Sequence, residues 1–314
     1  MRYLVTGGAG FIGSAICHRL AAEGRDVIVL DNFSTGDPKR LDAIRDAVTL
    51  IEGDIRDRET VDRAMRGVDT VFHEAALPSV ARSVEDPLTS NDVNVSGTLT
   101  VLESARRAGV RRLVYAASSS VYGDTPSLPK REDMPPSPRS PYAIGKLAGE
   151  RYAEAYFRLF GLETVSLRYF NVFGPRQDPR SHYAAVVPRF IAAALAGAPA
   201  TIYGDGFQSR DFTFVENVVD ANLRAAEAPG APGNVFNIAG GRRHTLLDLL
   251  AMIAAALGRD APLPPVHEPD RPGDVRHSLA DIAAARATLG YEPAIDLRAG
   301  IRKTVDWYRR EAGR

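Results

Sequence analysis

Hydrophobic and polar positions follow two rhythms along this chain. Arg2-Tyr3-Leu4-Val5-Thr6 is a short apolar, β-branched run that reads as a buried strand, and it breaks at once into Gly7-Gly8-Ala9-Gly10-Phe11-Ile12-Gly13. Behind the glycines, Phe11, Ile12, Ala15, Ile16 and Leu20 recur at helical spacing until Glu23-Gly24 ends the run. A second apolar run, Val27-Ile28-Val29-Leu30, stops on Asp31. Strand patterns return at 48–55, 68–73, 112–117 and 164–168, with helical patterns over 85–109 and 142–160. This alternation predicts βαβ units with right-handed crossovers: an α/β fold built on a Rossmann-type, doubly wound parallel sheet.

Beyond Asn171 the strict alternation is lost. Glycine and proline rise, a short strand is expected at 200–203, and helices near 186–196, 217–228 and 245–257. The pattern assigns residues 1–170, with about 213–240, to a dinucleotide-binding Rossmann domain, and 171–212 with 241–314 to a smaller C-terminal α/β substrate-binding domain. Ligands of open parallel sheets bind beyond the strand C-termini, so a cleft between the halves is the expected site. Residues 125–141 carry six prolines and read as a structured loop or lid.

Composition narrows the function classes. At 314 residues, 45% hydrophobic and 25% charged, the chain has the make-up of a soluble globular protein. Lys+Arg and Asp+Glu both number 39, so no electrostatic footprint for nucleic acid or an anionic membrane is expected. There is no charged-then-apolar leader and no apolar run near roughly eighteen residues, which points to the cytoplasm rather than to secretion or membrane insertion. The single cysteine, Cys17, excludes an internal disulfide and is expected as a small buried side chain. The six histidines are scattered without metal-ligand spacing, so no metal is expected.

The strand–glycine–helix–strand–acid order carries the first chemistry. A glycine turn lets backbone approach a pyrophosphate, which then sits on the open N–H groups of a helix start. The glycines can be read as Gly8-Gly10-Gly13 or Gly7-Gly10-Gly13. Asp31, about twenty residues on, is placed to accept from ribose hydroxyls and to repel a 2′-phosphate, which favours NAD over NADP. The polar loop Asn32-Phe33-Ser34-Thr35-Gly36 is placed to wrap that ribose, and Ala75-Ala76 are small enough for backbone to lie against a flat ligand. His73, by contrast, reads as a strand-end packing residue.

Tyr142 and Lys146 are four apart on a predicted helix, so both side chains point the same way. A cation beside a phenol stabilises the phenolate, which would lower the tyrosine pKa and make Tyr142 a general base for an alcohol. Ser118 ends the 112–117 strand, where its hydroxyl is placed to relay that proton; serines there also cap turns. Arg210 and Arg271 are guanidinium forks suited to diphosphate oxygens, or else surface residues paired with Asp211 and Asp270.

These residues resemble a known family, the extended short-chain dehydrogenases, and within it the nucleotide-sugar 4-epimerases. The resemblance is carried by Thr6 to Ser14, Asp31 to Gly36, Gly53-Asp54-Ile55-Arg56-Asp57, His73 to Ala76, Asn94 to Thr98 and Ser118 to Gly123. It continues through Pro141-Tyr142-Ala143-Ile144-Gly145-Lys146, Arg168 to Pro175 and Arg271-Pro272-Gly273-Asp274. It implies a catalytic triad of Ser118, Tyr142 and Lys146. It further implies NAD contacts from Gly7, Gly10, Phe11, Ile12, Asp31, Asn32, Ser34, Thr35, Gly36, Asp54, Ile55, Ala75, Ala76, Asn94 and Phe170, besides Tyr142 and Lys146. A UDP-sugar is expected against Ser79, Ser118, Ser120, Tyr142, Asn171, Gln177, Ala185, Val186, Arg210, Arg271 and Ser278.

Related dehydratases carry acids directly after the catalytic Ser or Thr, where this chain has Ser119 and Ser120. Gly145 departs from the commoner serine or threonine before the lysine. Ser278 aligns with a tyrosine that blocks the N-acetyl group in strict UDP-glucose epimerases, and a serine leaves space. The resemblance therefore implies 4-epimerisation of UDP-N-acetylglucosamine and UDP-N-acetylgalactosamine, with UDP-glucose and UDP-galactose as further substrates. UDP-glucuronate 4-epimerisation and a non-catalytic NAD-binding sensor are the alternatives; the sensor would be expected to lack the tyrosine or lysine. The family also implies a homodimer, formed by the helices around 86–107 and 142–160.

Overall fold

The computed structural model describes residues 1–179, 185–269 and 275–312. Six strands, β1 (Arg2–Thr6), β2 (Asp26–Asp31), β3 (Val48–Glu52), β4 (Thr70–His73), β5 (Arg112–Ser118) and β6 (Glu163–Tyr169), form one sheet with an edge strand, Val235–Ile238. Its order is edge strand, β6, β5, β4, β1, β2, β3, and every neighbouring pair is parallel. The strand order reverses between β1 and β4, and that switch point opens a crevice at the carboxyl ends. Both faces are covered, which is why these strands read as continuous apolar runs rather than as alternation.

One face packs Val5, Phe72 and Val114 against Ile16 and Leu20 of α1 (Phe11–Ala22) and Val218 of the helix Val215–Glu227. The other packs Leu4, Val71 and Leu113 against Val61 of α2 (Arg58–Ala64) and Leu102 of the helix Thr98–Ala108. A separate core holds the C-terminal half together, with Phe190, Ile202, Leu249 and Ile301 at its centre. The helix Ala283–Leu289 does not join that core. Its Ala285 and Leu289, with Tyr291, pack against the sheet, where the Tyr291 hydroxyl donates to the Ala239 carbonyl at 2.9 Å.

Several elements differ from the pattern-based expectation. The third strand stops at Glu52, because the Arg56 and Asp57 N–H groups turn back onto Asp54 and leave the ladder. The expected 85–109 helix begins instead at Pro87, where the Asp86 carboxylate caps the Thr89 N–H at 3.0 Å; Glu85 closes a separate short helix, Val80–Glu85. It then widens into a π turn, Asp92–Gly97, before continuing as Thr98–Ala108. Between β2 and β3 the crossover is a 3-10 segment, Pro38–Ala47. The proline-rich stretch is a tied loop, with Lys130 exchanging backbone bonds with Leu279 and Asp281 at 2.8 Å each. Among the described residues no helix is long and apolar enough to cross a membrane.

Candidate active site

A cavity of about 770 Å3 opens at the carboxyl ends of the strands. Its floor is the glycine turn. Gly10 caps α1 with extended backbone and no side-chain partner, so the first N–H groups of the helix remain open to an anion. Only glycine fits at the close approaches: a Cβ on Gly13 would fall 2.2 Å from the Gly7 carbonyl oxygen, and Gly7 itself has φ +68. Gly7, Gly10 and Gly13 line the cavity, whereas a Cβ on Gly8 would meet Val29 at 2.7 Å, away from it. The Gly7-Gly10-Gly13 spacing is therefore the one that faces the cavity.

Asp31 stands at the end of β2, buried, accepting from the N–H groups of Ala9 (2.9 Å) and Phe33 (2.8 Å). Burial pushes its carboxyl up, and those two N–H bonds pull it back down. A Cβ on Gly36 would sit 2.8 Å from the Asp31 carboxylate, so glycine there keeps its edge clear although Gly36 does not itself line the cavity. Asn32 donates to Asp54 at 2.7 Å and accepts from the Ser34 N–H at 3.0 Å. Hydrogen bonds from Arg56 hold the Asp54 carboxyl down at about 2. Phe11, Ile12, Asn32, Ser34, Thr35, Asp54 and Ile55 all line this end. Open helix N–H groups, a glycine cradle and a ribose-height carboxylate fit a dinucleotide.

The other end is built on the helix Pro141–Phe160, started by Pro141 and by Ser140, whose hydroxyl accepts from the Ala143 N–H at 3.1 Å. Tyr142 and Lys146 lie one turn apart and both line the cavity. The Lys146 ammonium donates to the Ala116 carbonyl at 2.9 Å and sits 5.1 Å over the Tyr115 ring. Burial pushes Lys146 down to about 8, with Glu74 raising it in part. The Tyr142 phenol stands above its ordinary value. Burial raises the phenol, Ser118 pulls it down, and Glu74 raises it further, while the ammonium is directed at a backbone carbonyl. Ser118 also caps the turn after β5, accepting from the Ser120 N–H (3.2 Å) and hydroxyl (2.9 Å).

Ala75, Ala76, Ser79, Gln177 and Ala185 line the cavity wall. Ser79 has φ +121, a costly backbone for a serine, where it caps the Val80–Glu85 helix. Asn94 is buried on the π turn and clamps Leu77, donating to its carbonyl (3.1 Å) and accepting from its N–H (2.8 Å), so it shapes the 75–78 wall from behind. Phe170 is buried beside Tyr122 in the sheet core. Asn171, at φ +33, donates to the Asp211 carbonyl at 3.3 Å, and Val186 opens the helix Val186–Leu195. Arg210 and Ser278 form a second group. Arg210 donates to the carbonyls of Ser209 (3.0 Å) and Arg276 (3.1 Å), and the Ser278 N–H donates to Ser209 at 3.0 Å. Arg271 lies outside the described residues.

Glu74, Tyr169 and Arg40 also line the cavity, though none of the three is among the site residues expected from the sequence. Glu74 lies inside the His73-to-Ala76 stretch, where an acid closing an apolar strand was the available signal. His73 is fully buried between Thr6 (2.7 Å) and Thr98 (3.0 Å), a packing residue. Among the described residues no group of three or more His, Cys, Asp and Glu could hold a metal.

Comparison with known proteins agrees with this geometry. Residues 3–239 match the NAD dependent epimerase/dehydratase family. A UDP-glucose 4-epimerase of Mycolicibacterium smegmatis is 44% identical over 99% of this chain and 100% of its own. The UDP-glucose 4-epimerase of Thermotoga maritima, solved with UDP-glucose, superposes with a TM-score of 0.94 at 39% identity, covering 99% of this chain and 100% of that one. The UDP-N-acetylglucosamine 4-epimerase of Methanobrevibacter ruminantium, solved with UDP-N-acetylmuramic acid, gives 0.93 at 38% identity, covering 99% and 98%. With the glycine cradle, the ribose-height acid and the Tyr142–Lys146 pair all on one cavity, this chain belongs to the NAD-dependent epimerase/dehydratase family.

Proposed function

We propose that the protein is a UDP-sugar 4-epimerase acting on UDP-N-acetylglucosamine and UDP-N-acetylgalactosamine, with UDP-glucose and UDP-galactose as further substrates. The observation that carries the reading is Tyr142 and Lys146 on one wall of the dinucleotide cavity with Ser118 beside the Tyr142 phenol. The acetylated sugar is favoured by the small, half-buried Ser278 next to the strand that carries Arg210.

Tyr142 takes the proton of the C4 hydroxyl, with Ser118 as the relay between the two oxygens. NAD, when bound in the cradle of Gly7, Gly10 and Gly13 with Asp31, would supply the hydride acceptor and donor that the cycle needs. The 4-keto sugar swings about its diphosphate linkage, and Tyr142 gives the proton back when the opposite face is presented. Hydride and proton both return, so C4 is inverted with no net oxidation. Arg210 and Arg271 retain the diphosphate through the swing.

Proton NMR of the purified protein, without added NAD, on UDP-N-acetylglucosamine, UDP-glucose and UDP-glucuronate separately tests this. The galacto product should form fastest from the acetylated sugar. Conversion of glucuronate alone would overturn the substrate and keep the mechanism. No conversion of any, even with NAD supplied, would favour a different substrate or the sensor reading.

We also infer a homodimer. Leu88, Ile144, Tyr152, Leu159 and Phe160 are exposed on the Pro87–Asn91 and Pro141–Phe160 helices, which pack side by side. Light scattering should give twice the chain mass; a monomer at micromolar concentration would overturn it.

A further inference from the structure

The cofactor cavity holds an acid that the proposed chemistry does not use. Glu74 follows β4 directly, and its N–H donates to the Thr6 carbonyl at 3.1 Å, so its backbone is fixed as one more rung beside β1. His73 pairs with Tyr115, which sets Glu74 level with Ala116 of β5. Alanine there leaves room for the glutamate side chain to cross β5 and accept from the Tyr169 hydroxyl of β6 at 2.7 Å. Tyr169 is held in turn by Asn222, whose amide donates to the Tyr169 oxygen (2.8 Å) and to the Val218 carbonyl (2.9 Å). Glu74 and Tyr169 line the same cavity as Tyr142 and Lys146. An apolar side chain would fill that space without the cost of desolvating a carboxyl, so the acid calls for a role.

We propose that Glu74, held by Tyr169 and Asn222, is a positioning residue for charge at the nicotinamide site: its carboxylate stabilises the positively charged oxidised ring over the neutral reduced one and so sets the poise of the bound couple. The groups that face it are Tyr169 from β6, Lys146 and Tyr142 from the Pro141–Phe160 helix, and Cys17 from α1. Burial raises Tyr169 and Cys17, which keeps them neutral near pH 7, and raises Tyr142 as well, until the positive ring of bound NAD draws that phenol down for its role as base. Burial pushes Glu74 up to about 7, with Tyr169 and Lys146 drawing it down. Its charge therefore develops across neutral pH, and preference for NAD over NADH rises with it. Lys146, pushed down to about 8, loses its own charge higher up and acts in the same direction. The lower arm of the profile belongs to Glu74 and the upper arm to Lys146.

The test is cofactor exchange. Protein is equilibrated with fixed mixtures of NAD and NADH, desalted, and the ratio retained is read from the near-ultraviolet absorbance of the reduced ring. In the wild type the retained NAD:NADH ratio should rise severalfold between about pH 6 and about pH 7.5. Glu74→Gln should lower it roughly tenfold at the upper end, about 30 mV for a two-electron couple, and flatten the profile in that window. Tyr169→Phe removes a donor that favours the ionised carboxyl, so its profile should keep its height and move to higher pH. An unchanged ratio and pH course in folded Glu74→Gln overturns the proposal. Should that variant fail to fold, an unmoved midpoint in Tyr169→Phe overturns it alone. The inference rests on the NAD site and not on the choice of sugar, so its failure would leave 4-epimerisation to the NMR experiment.

Discussion

Lys146 Nζ donates to the Ala116 carbonyl at 2.9 Å, which ties the helix carrying Tyr142 to the strand ending in Ser118. The lysine thus sets where the phenol stands relative to the serine. Lys146→Met should cut kcat by about a hundredfold or more, the usual scale for losing positioned acid–base chemistry. Turnover within a few-fold of wild type, measured by NMR on the preferred sugar, would remove Lys146 from the mechanism.

Gly13 is the tightest point of the glycine cradle. Alanine there would place its methyl 2.2 Å from the Gly7 carbonyl oxygen, a backbone atom that cannot swing away. Gly13→Ala should cost about 1–3 kcal/mol of stability or more and abolish retention of NAD through gel filtration. Normal NAD content in a folded variant would show that the turn can relax.

His73 makes a pH prediction. Burial, then Lys146, push it down to about 3 from its ordinary 6.5. Between those values the unfolded chain binds a proton that the native state does not, so the histidine's contribution is lost as pH falls from 6.5, by about 1.4 kcal/mol per unit. Glu74 and Asp211, both pushed up to about 7 by burial, run the opposite way: their contribution is lost as pH rises toward 7. The wild type alone therefore hides the histidine, and a difference reveals it. The stability gap between wild type and His73→Gln, from urea unfolding, should shrink as pH is lowered from 7 to about 5. A gap independent of pH would mean that His73 takes up its proton in the native state over the same pH range as in the unfolded chain.

Arg168 and Glu150 form an ion pair at 2.7 Å whose side chains are 2% and 0% exposed, with the guanidinium also donating to Tyr122 at 2.7 Å. Removing one partner strands a charge in the core. Glu150→Ala should cost about 3–5 kcal/mol, and a second change, Arg168→Met, should recover part of it. A single-variant loss below about 1 kcal/mol would mean that water or another carboxylate reaches Arg168.

The elements that place the site were readable because they are local. Buried parallel strands announce themselves as unbroken apolar runs, and Gly7-Gly10-Gly13 with Asp31 marks the nucleotide end without reference to anything distant. Tyr142 and Lys146 share a face because a helix turns once in four residues. The π turn at Asp92–Gly97 was not readable, since its apolar spacing passes for one continuous helix.

The sequence by itself determined the alternation of strands and helices, the glycine cradle, the acid closing β2 and the spacing of the tyrosine and lysine. Each depends on a period or an interval of at most about twenty residues. Only the tertiary structure decided which hydrogen-bond partners those groups have. Lys146 meets Ala116 rather than the Tyr142 phenol; Glu74 meets Tyr169 across 95 residues of chain, and Tyr169 meets Asn222 across 53. Tertiary packing also set the Ala283–Leu289 helix against the sheet, away from its neighbours in sequence. Periodicity reports that a side chain is buried. Its partners depend on strand order and register, and those come from packing the whole sheet at once.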